Sequence, residues 1–262
     1  MPIFLLALVT AFSGTLYAAD AVPELGPPDA KPFYDLQVIT AKPGKLEQVH
    51  EWFRQHQQDV LAKHGATNLA YLVPVGENPE DRLLCLHKFP SLPAMLEFSR
   101  ALKADPLWAP LDTSSKSPDL LVEKVELMGF TTTDYSPEFT PEQALKPRVF
   151  ELRTYTCPSR DHLALLHERF RSHTVKLFAK HGMQNLIYGQ PQDLEDSDRK
   201  LVYLLAHESQ AAAKKSFAAF GKDPDWIAAR EASEKAAGGS LTNKQGGVVS
   251  EFFTATEYSP LK

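Results

Sequence analysis

Two stretches of the chain run through the same succession of hydrophobic periods. Each opens with alternating apolar and polar residues, Phe33 to Thr40 and Val149 to Thr156, the period-two signature of a strand. A proline-bearing turn follows, Lys42-Pro43-Gly44 or Cys157-Pro158-Ser159. The period then changes to that of a helix, Leu46 to His64 and Leu163 to His181. Val49, Phe53 and Val60 mark the buried stripe of the first helix, and Leu166, Phe170 and Leu177 that of the second. Gly65 and Gly182 suit the left-handed residue that ends a helix. A second strand starts near Asn68 and Asn185. The third covers Leu83 to Phe89 and Leu201 to Ala206. A second helix covers Leu92 to Lys103 and Ala211 to Gly221. A fourth strand covers Leu121 to Thr131 and Val248 to Thr256.

The order βαββαβ, met twice, predicts an α+β chain of two tandem ferredoxin-like units. An antiparallel sheet with helices on one face leaves the other face bare, and the second sheet is its natural cover. Short motifs support a duplication. Lys63-His64-Gly65 with Asn68, Leu69 and Tyr71 recurs at an offset of 117 as Lys180-His181-Gly182 with Asn185, Leu186 and Tyr188. Asp105-Pro106 with Trp108 recurs as Asp223-Pro224 with Trp226, and Tyr135-Ser136-Pro137 as Tyr258-Ser259-Pro260. A period this long is a duplicated domain rather than a solenoid repeat. The expected boundaries are 33–137 for the first unit, 138–148 for a linker and 149–260 for the second unit.

Phe150-Glu151-Leu152-Arg153-Thr154-Tyr155-Thr156, then Lys180-His181-Gly182 and Asp223-Pro224-x-Trp226, resemble the NIPSNAP family. The first copy is divergent, with Tyr34-Asp35-Leu36-Gln37-Val38 in place of the Glu-Leu-Arg-Thr-Tyr signature. The resemblance implies a dimeric α/β-barrel, here an intramolecular one because both units share a chain. It brings no settled activity. Some members of the wider superfamily are cofactor-free monooxygenases and others bind haem.

Composition narrows the partners. With 28 basic against 33 acidic residues and no basic run, nothing points to nucleic acid or an anionic membrane. Residues 1–19 carry no charge, hold a short apolar run and offer small residues for cleavage after Ala18 or Ala19. They read as a signal peptide, which implies export to a periplasm or the outside, with an uncleaved anchor as the alternative. Residues 20–32 read as a proline-rich linker. No membrane span is expected after cleavage. The two cysteines, Cys85 and Cys157, fall at different places in the two copies and read as buried free thiols rather than a bridge.

On the strand 149–156, Glu151, Arg153 and Tyr155 share one face. The apolar face is expected to meet the helices, so the polar trio, joined by Tyr203, is expected to point into the barrel. Such a set can orient a polar ligand, or form an ion pair that satisfies itself, while a mainly structural barrel would hold a small apolar or amphipathic ligand. The first copy has Asp35, Gln37 and Ile39 at these positions, so any pocket is lopsided. His56 and His173, at equivalent helix positions, read as buried core histidines, or else as a general base or an axial ligand to haem. His87 and His207 receive no role. Trp108 and Trp226 read as packing anchors or as a cap over the barrel mouth. No cofactor or metal is predicted. Three functions follow: a binding or interaction module with a ligand in its barrel, a cofactor-independent oxygenase or isomerase using Glu151, Arg153 and Tyr155, and a haem protein. Association into a homo-oligomer is left open.

Overall fold

The structure is a computed structural model that describes residues 31–63, 65–114, 117–141, 148–192 and 196–262. The expected signal segment 1–19 lies outside the described residues, as do nearly all of the linker 20–32 and residues 142–147 of the linker 138–148.

The first half contains β1 (Phe33–Ala41), α1 (Leu46–Lys63), β2 (Thr67–Pro74), β3 (Arg82–Phe89), α2 (Leu92–Ala104) and β4 (Val122–Thr132). In the second half β5 (Val149–Thr156) leads into α3 (Arg160–Arg169). A π turn (Phe170–Thr174) joins α3 to α4 (Val175–Lys180). Then come β6 (Gln184–Pro191), β7 (Lys200–His207), α5 (Gln210–Phe220), α6 (Pro224–Ala237) and β8 (Val248–Ala255). Gly65 and Gly182 have φ of +75° and +78°, the left-handed geometry that their place after a helix predicts. Helix α6 was not among the expected elements, although the Asp-Pro before Trp226 reads as a helix-starting or turn signal. Its start is the Asp223-Pro224 pair: the Asp223 carboxylate accepts from the Asp225 N–H at 2.9 Å, and Pro224 takes the first turn, where no amide proton is needed.

The eight strands close into one antiparallel barrel in the order β1-β3-β2-β8-β5-β7-β6-β4. Within each half the pairing is long, but the two seams between halves are short. At one, Leu72, Val73 and Pro74 face Ala255, Thr254 and Phe253; at the other, Phe130, Thr131 and Thr132 face Pro191, Gln190 and Gly189.

The chain segments after β4 and β8 reinforce these seams by crossing to the opposite half. Thr256 N–H donates to the Tyr71 carbonyl at 3.0 Å, and Tyr71 N–H donates to Ser259 Oγ at 3.0 Å. The mirror contacts are Thr133 N–H to the Tyr188 carbonyl and Tyr188 N–H to Ser136 Oγ, both at 3.0 Å. Tyr258 hydroxyl meets His50 Nδ1 on α1 at 2.6 Å, and Tyr135 hydroxyl meets His167 Nδ1 on α3 at 2.7 Å. Arg54 and Arg171 each lie 5.7 Å from the centroid of the tyrosine ring received by their own helix. The repeated Tyr-Ser-Pro motif is thus a reciprocal clamp. Phe139 and Leu261, just beyond it, join the apolar contents of the barrel.

The interior is apolar. Every strand contributes, through Tyr34, Leu72, Leu86, Phe130, Phe150, Ile187, Leu204 and Phe253 among others. Two further cores lie between the sheet and the helices, one per half. Both faces of the sheet are therefore buried.

At the β4–β6 seam Gly189 is required by contact. A Cβ there would lie 2.1 Å from a ring carbon of Phe130, which itself stacks on Tyr34 at 5.3 Å. Gly189→Ala is expected to cost about 1–3 kcal/mol, the range for forcing extra volume into a packed core. Adding Phe130→Leu should recover part of the loss. Urea unfolding of the two single variants and the double checks this, and strict additivity would contradict it.

Candidate functional site

Tertiary structure reverses the facing inferred from the strand pattern. Phe150 and Leu152 point into the barrel, and Glu151, Arg153 and Tyr155 point to the helix layer. Both sides are buried, and the helix side gives these polar groups partners: Tyr203 and His207 on β7 and Ser250 on β8. Glu151, 1% exposed, receives Arg153 Nη1 at 2.5 Å, Ser250 Oγ at 2.5 Å and His207 Nε2 at 2.9 Å. Arg153 also donates from Nε to Tyr203 hydroxyl at 2.9 Å and from Nη2 to Tyr155 hydroxyl at 3.3 Å. Its guanidinium lies 4.7 Å from the ring centroid of Phe217 on α5. Burial works to raise the Glu151 pKa, and the bonds from His207, Arg153 and Ser250 outweigh it, so the carboxyl sits below its ordinary value. Sequence reasoning brought Glu151, Arg153, Tyr155 and Tyr203 together correctly. It missed His207 and Ser250, which complete the set from β7 and β8.

This network fills its own space. Tyr203 stacks on Tyr188 at 5.1 Å and meets Phe170 edge-on at 5.4 Å; Phe178 closes on Phe220 at 4.9 Å.

The first half has the same layer with smaller parts. Gln37 and Cys85 are cross-strand partners where the second half pairs Arg153 with Tyr203. By the repeat offsets, Leu61 stands for Phe178 and Ser99 for Phe217. The lost volume leaves a cavity of about 10 Å³, room for one water, lined by Gln37, Trp52, Phe53, Val60, Leu61, Tyr71, His87, Phe98, Leu102 and Trp108. Two of its polar walls are unsatisfied. His87 is 4% exposed, and neither ring nitrogen meets a protein partner; the hydroxyl of the fully buried Tyr71 meets none either. Buried polar groups are nearly always paired, so each such orphan asks for an explanation. Asp35, the cross-strand partner of His87, accepts from Gln37 Nε2 at 2.5 Å. Burial pushes Asp35 up to about 6, against the Gln37 bond, and pushes His87 down to about 4. The clue was present in the repeat: Gln37 and Cys85 are smaller than Arg153 and Tyr203. Comparing volumes copy against copy finds the cavity, whereas comparing motifs does not.

The histidines of the first helix of each half are not where the periodicity placed them. His56 is half-buried with its ring 5.6 Å from Trp52. His173 is exposed, because the π turn alters the angular step along the helix and carries it off the buried stripe. It lines an open groove of about 500 Å³ with Lys176, Lys180 and Asp225. Neither position fits a haem: His56 is not among the residues that line the small cavity, and His173 lines an open, charged groove. Trp108 and Trp226 lie in the helix layers and not at the barrel mouth. The aspartates before them, Asp105 and Asp223, pair at 2.7 Å with Lys63 and Lys180, so the two repeated motifs of each half hold one another. Cys85 and Cys157 are buried free thiols. Among the described residues no helix is long and apolar enough to cross a membrane.

Residues 150–260 match the NIPSNAP family model. This part of the chain is similar to the NIPSNAP family. No curated protein matches the sequence. Among solved structures, a proposed monooxygenase from Fusobacterium nucleatum subsp. nucleatum is 10% identical over 87% of this chain and 93% of its own, with a TM-score of 0.54. A mutant chlorite dismutase from Candidatus Nitrospira defluvii, in complex with cyanide, is 8% identical over 87% and 92%, with a TM-score of 0.51. A NIPSNAP family protein from Agrobacterium tumefaciens strain C58 is 20% identical over 43% of this chain and 98% of its own, with a TM-score of 0.34. At these identities the first two share with this chain a barrel fold of mixed α/β type.

Two predictions follow from the layers. Arg153→Ala strands the buried Glu151 and is expected to cost about 3–5 kcal/mol, while Glu151→Gln/Arg153→Leu should cost much less than the single changes added together. Chemical denaturation of the three variants reads this directly, and equal additive losses would sink the account of a self-satisfying network. The second concerns pH. Asp35 titrates near 4 unfolded and about 6 folded, so its share of stability is present in acid and is lost as pH rises from about 4 to 6; the amount is about 3 kcal/mol. His87 titrates near 6.5 unfolded and about 4 folded, so its share is lost as pH falls across much the same window. The two slopes oppose. Asp35→Asn should raise the Tm at pH 7–8 and leave a steep fall below pH 6.5. His87→Leu, which copies Leu205, should instead lose Tm between pH 4 and 6. Parallel profiles for the two variants would contradict both assignments.

Proposed function

We propose that this chain is an exported small-molecule binding module made of two tandem ferredoxin-like units, the first a diverged copy of the NIPSNAP domain. Its one ligand site lies between sheet and helices of the first half. The barrel is the wrong place for a ligand, because apolar side chains from all eight strands occupy it. Glu151, Arg153, Tyr155 and Tyr203 form a scaffold, since their polar atoms are spent on one another, on His207 and on Ser250. The observation that carries the reading is the first-half cavity with His87 and Tyr71 unpartnered inside a wall of aromatic rings. Apolar enclosure with a few convergent polar groups is the usual form of a small-molecule site.

A second reading, a cofactor-independent oxygenase or isomerase, moves from Glu151 to His87. A neutral imidazole kept free of partners can accept a proton from a bound substrate, whereas the Glu151 carboxylate is fully engaged. The fold shared with a proposed monooxygenase is compatible with it but shows only the fold. A haem has the least support, since His173 lines an open, charged groove and His56 is not among the residues that line the small cavity.

The double change Gln37→Arg/Cys85→Tyr rebuilds the second half's filling in the first. Native mass spectrometry of protein purified from its own host should find a small molecule on the wild type and none on the double variant, with circular dichroism unchanged. Equal occupancy in both would place the ligand elsewhere. N-terminal sequencing of the same sample should begin at Ala19 or Asp20.

A further inference from the structure

The two helix layers differ in their roofs as well as their floors. In the second half Trp226 stands on the 14-residue helix α6, its ring 4.3 Å from Phe220 and beneath the Arg169 guanidinium at 4.9 Å. In the first half Trp108 ends a three-residue 3₁₀ turn, Pro106–Trp108, beside the exposed Leu107. That turn is held by backbone bonds, Trp108 N–H to the Asp105 carbonyl at 3.0 Å and Leu111 N–H to the Trp108 carbonyl at 2.8 Å, and by side chains. Trp52 Nε1 donates to the Leu107 carbonyl at 2.9 Å, the Trp52 and Trp108 rings meet edge to face at 5.4 Å, and Asp105 caps the turn while pairing with Lys63. A single turn of this kind has poorer hydrogen-bond geometry than a long helix and opens at lower cost. The smaller floor and the lighter roof occur over the same cavity.

The lining also selects chemistry. Among the described residues no Lys or Arg faces the cavity, so an anion held by them would be buried without a counter-charge. The nearest acid, Asp35, is already bonded to Gln37. Trp52, Phe53, Phe98 and Trp108 supply flat walls, and the free polar atoms are a phenol hydroxyl and an imidazole with one donor and one acceptor nitrogen. One group satisfies both: a hydroxyl, which gives and takes a hydrogen bond.

We propose that this site, read as above as a ligand site, takes a neutral, flat, single-ring molecule whose hydroxyl is held between His87 and Tyr71, and that the Trp108 turn is the gate through which it enters. The ligand replaces the water-sized space by swinging Trp108 outward, which breaks the edge contact with Trp52 and leaves α1 and the sheet in place.

Phenol, toluene, benzoate and phenyltrimethylammonium, titrated into the full-length protein carrying Trp226→Phe, test this. The remaining tryptophans are Trp52 and Trp108, both in the cavity wall, so their emission reports the gate. Phenol is expected to shift the emission and raise the Tm, and the other three to do neither at the same concentration. His87→Leu, and separately Tyr71→Phe in case the first fails to fold, should weaken phenol by at least about tenfold, as sites built around a hydroxyl do when a partner is lost. Toluene acting as well as phenol would overturn the hydroxyl handle and leave the binding-module reading standing. Benzoate or phenyltrimethylammonium acting better would overturn the neutral-ligand assignment. A raised Tm with unchanged emission would overturn the gate. No response to any probe, together with a Gln37→Arg/Cys85→Tyr variant that behaves as wild type in native mass spectrometry, would overturn both this proposal and the function it rests on.

Discussion

Each half of this chain builds an antiparallel sheet with helices on one side, and the opposite apolar side has to be kept from water. The halves solve this for each other. Two short seams close the barrel, and the Tyr-Ser-Pro segments reach across them so that Tyr258 docks on His50 of the first half and Tyr135 on His167 of the second. Phe139 and Leu261, carried by the same segments, enter the barrel core. The sheet contacts, the filling of the barrel and the placement of the two helix layers all depend on this exchange. It also explains why the motif stands at the end of each copy: only a segment leaving β4 or β8 lies next to the other half.

With both faces of the sheet buried, each strand must satisfy two interiors. The barrel takes a mainly apolar set, with the Arg82–Glu251 and Lys124–Glu126 pairs on the same faces of their strands. The helix side tolerates polarity, provided the polar atoms find partners. The second half comes close to that condition by concentrating a carboxylate, a guanidinium, an imidazole and three hydroxyls into one network from β5, β7 and β8, with His207 Nδ1 left without a partner. Burying such a set is costly unless it is complete, so the network behaves as a unit. The first half meets it only in part. Asp35 and Gln37 satisfy each other, and His87 and Tyr71 are left facing a small void. The two halves thus differ, one holding a packed polar network and the other a small void, at positions such as Arg153 against Gln37 and Tyr203 against Cys85.

The order of elements was legible because it rests on local periods. Alternation marked β1 and β5, the 3.6 period marked α1, and the left-handed glycines Gly65 and Gly182 marked where the helices stop. Internal repetition was legible because Lys-His-Gly, Asp-Pro-x-Trp and Tyr-Ser-Pro keep their order, and the structure shows why: the lysine of the first holds the aspartate of the second, and the third clamps the halves. Helix α6 escaped because its own polarity is diffuse, and its start is a capping aspartate that also suits a simple turn.

What the sequence could not decide was which way a strand faces. Alternation separates Glu151, Arg153 and Tyr155 from Phe150 and Leu152, but it says nothing of which set meets the helices, because both sides of a closed barrel with an outer helix layer are dry. Nor could it place His173, whose angle depends on a π turn stabilised by contacts around it. The cavity is a tertiary fact as well: it is a difference of volumes between residues distant in the chain, visible only when Gln37, Cys85, Leu61 and Trp108 are brought around His87 and Tyr71. Residue order alone determined the elements, their repetition and the company of Glu151 with Arg153. Facing, enclosure and the unpartnered pair were set by packing, because each depends on what residues distant in the chain place opposite.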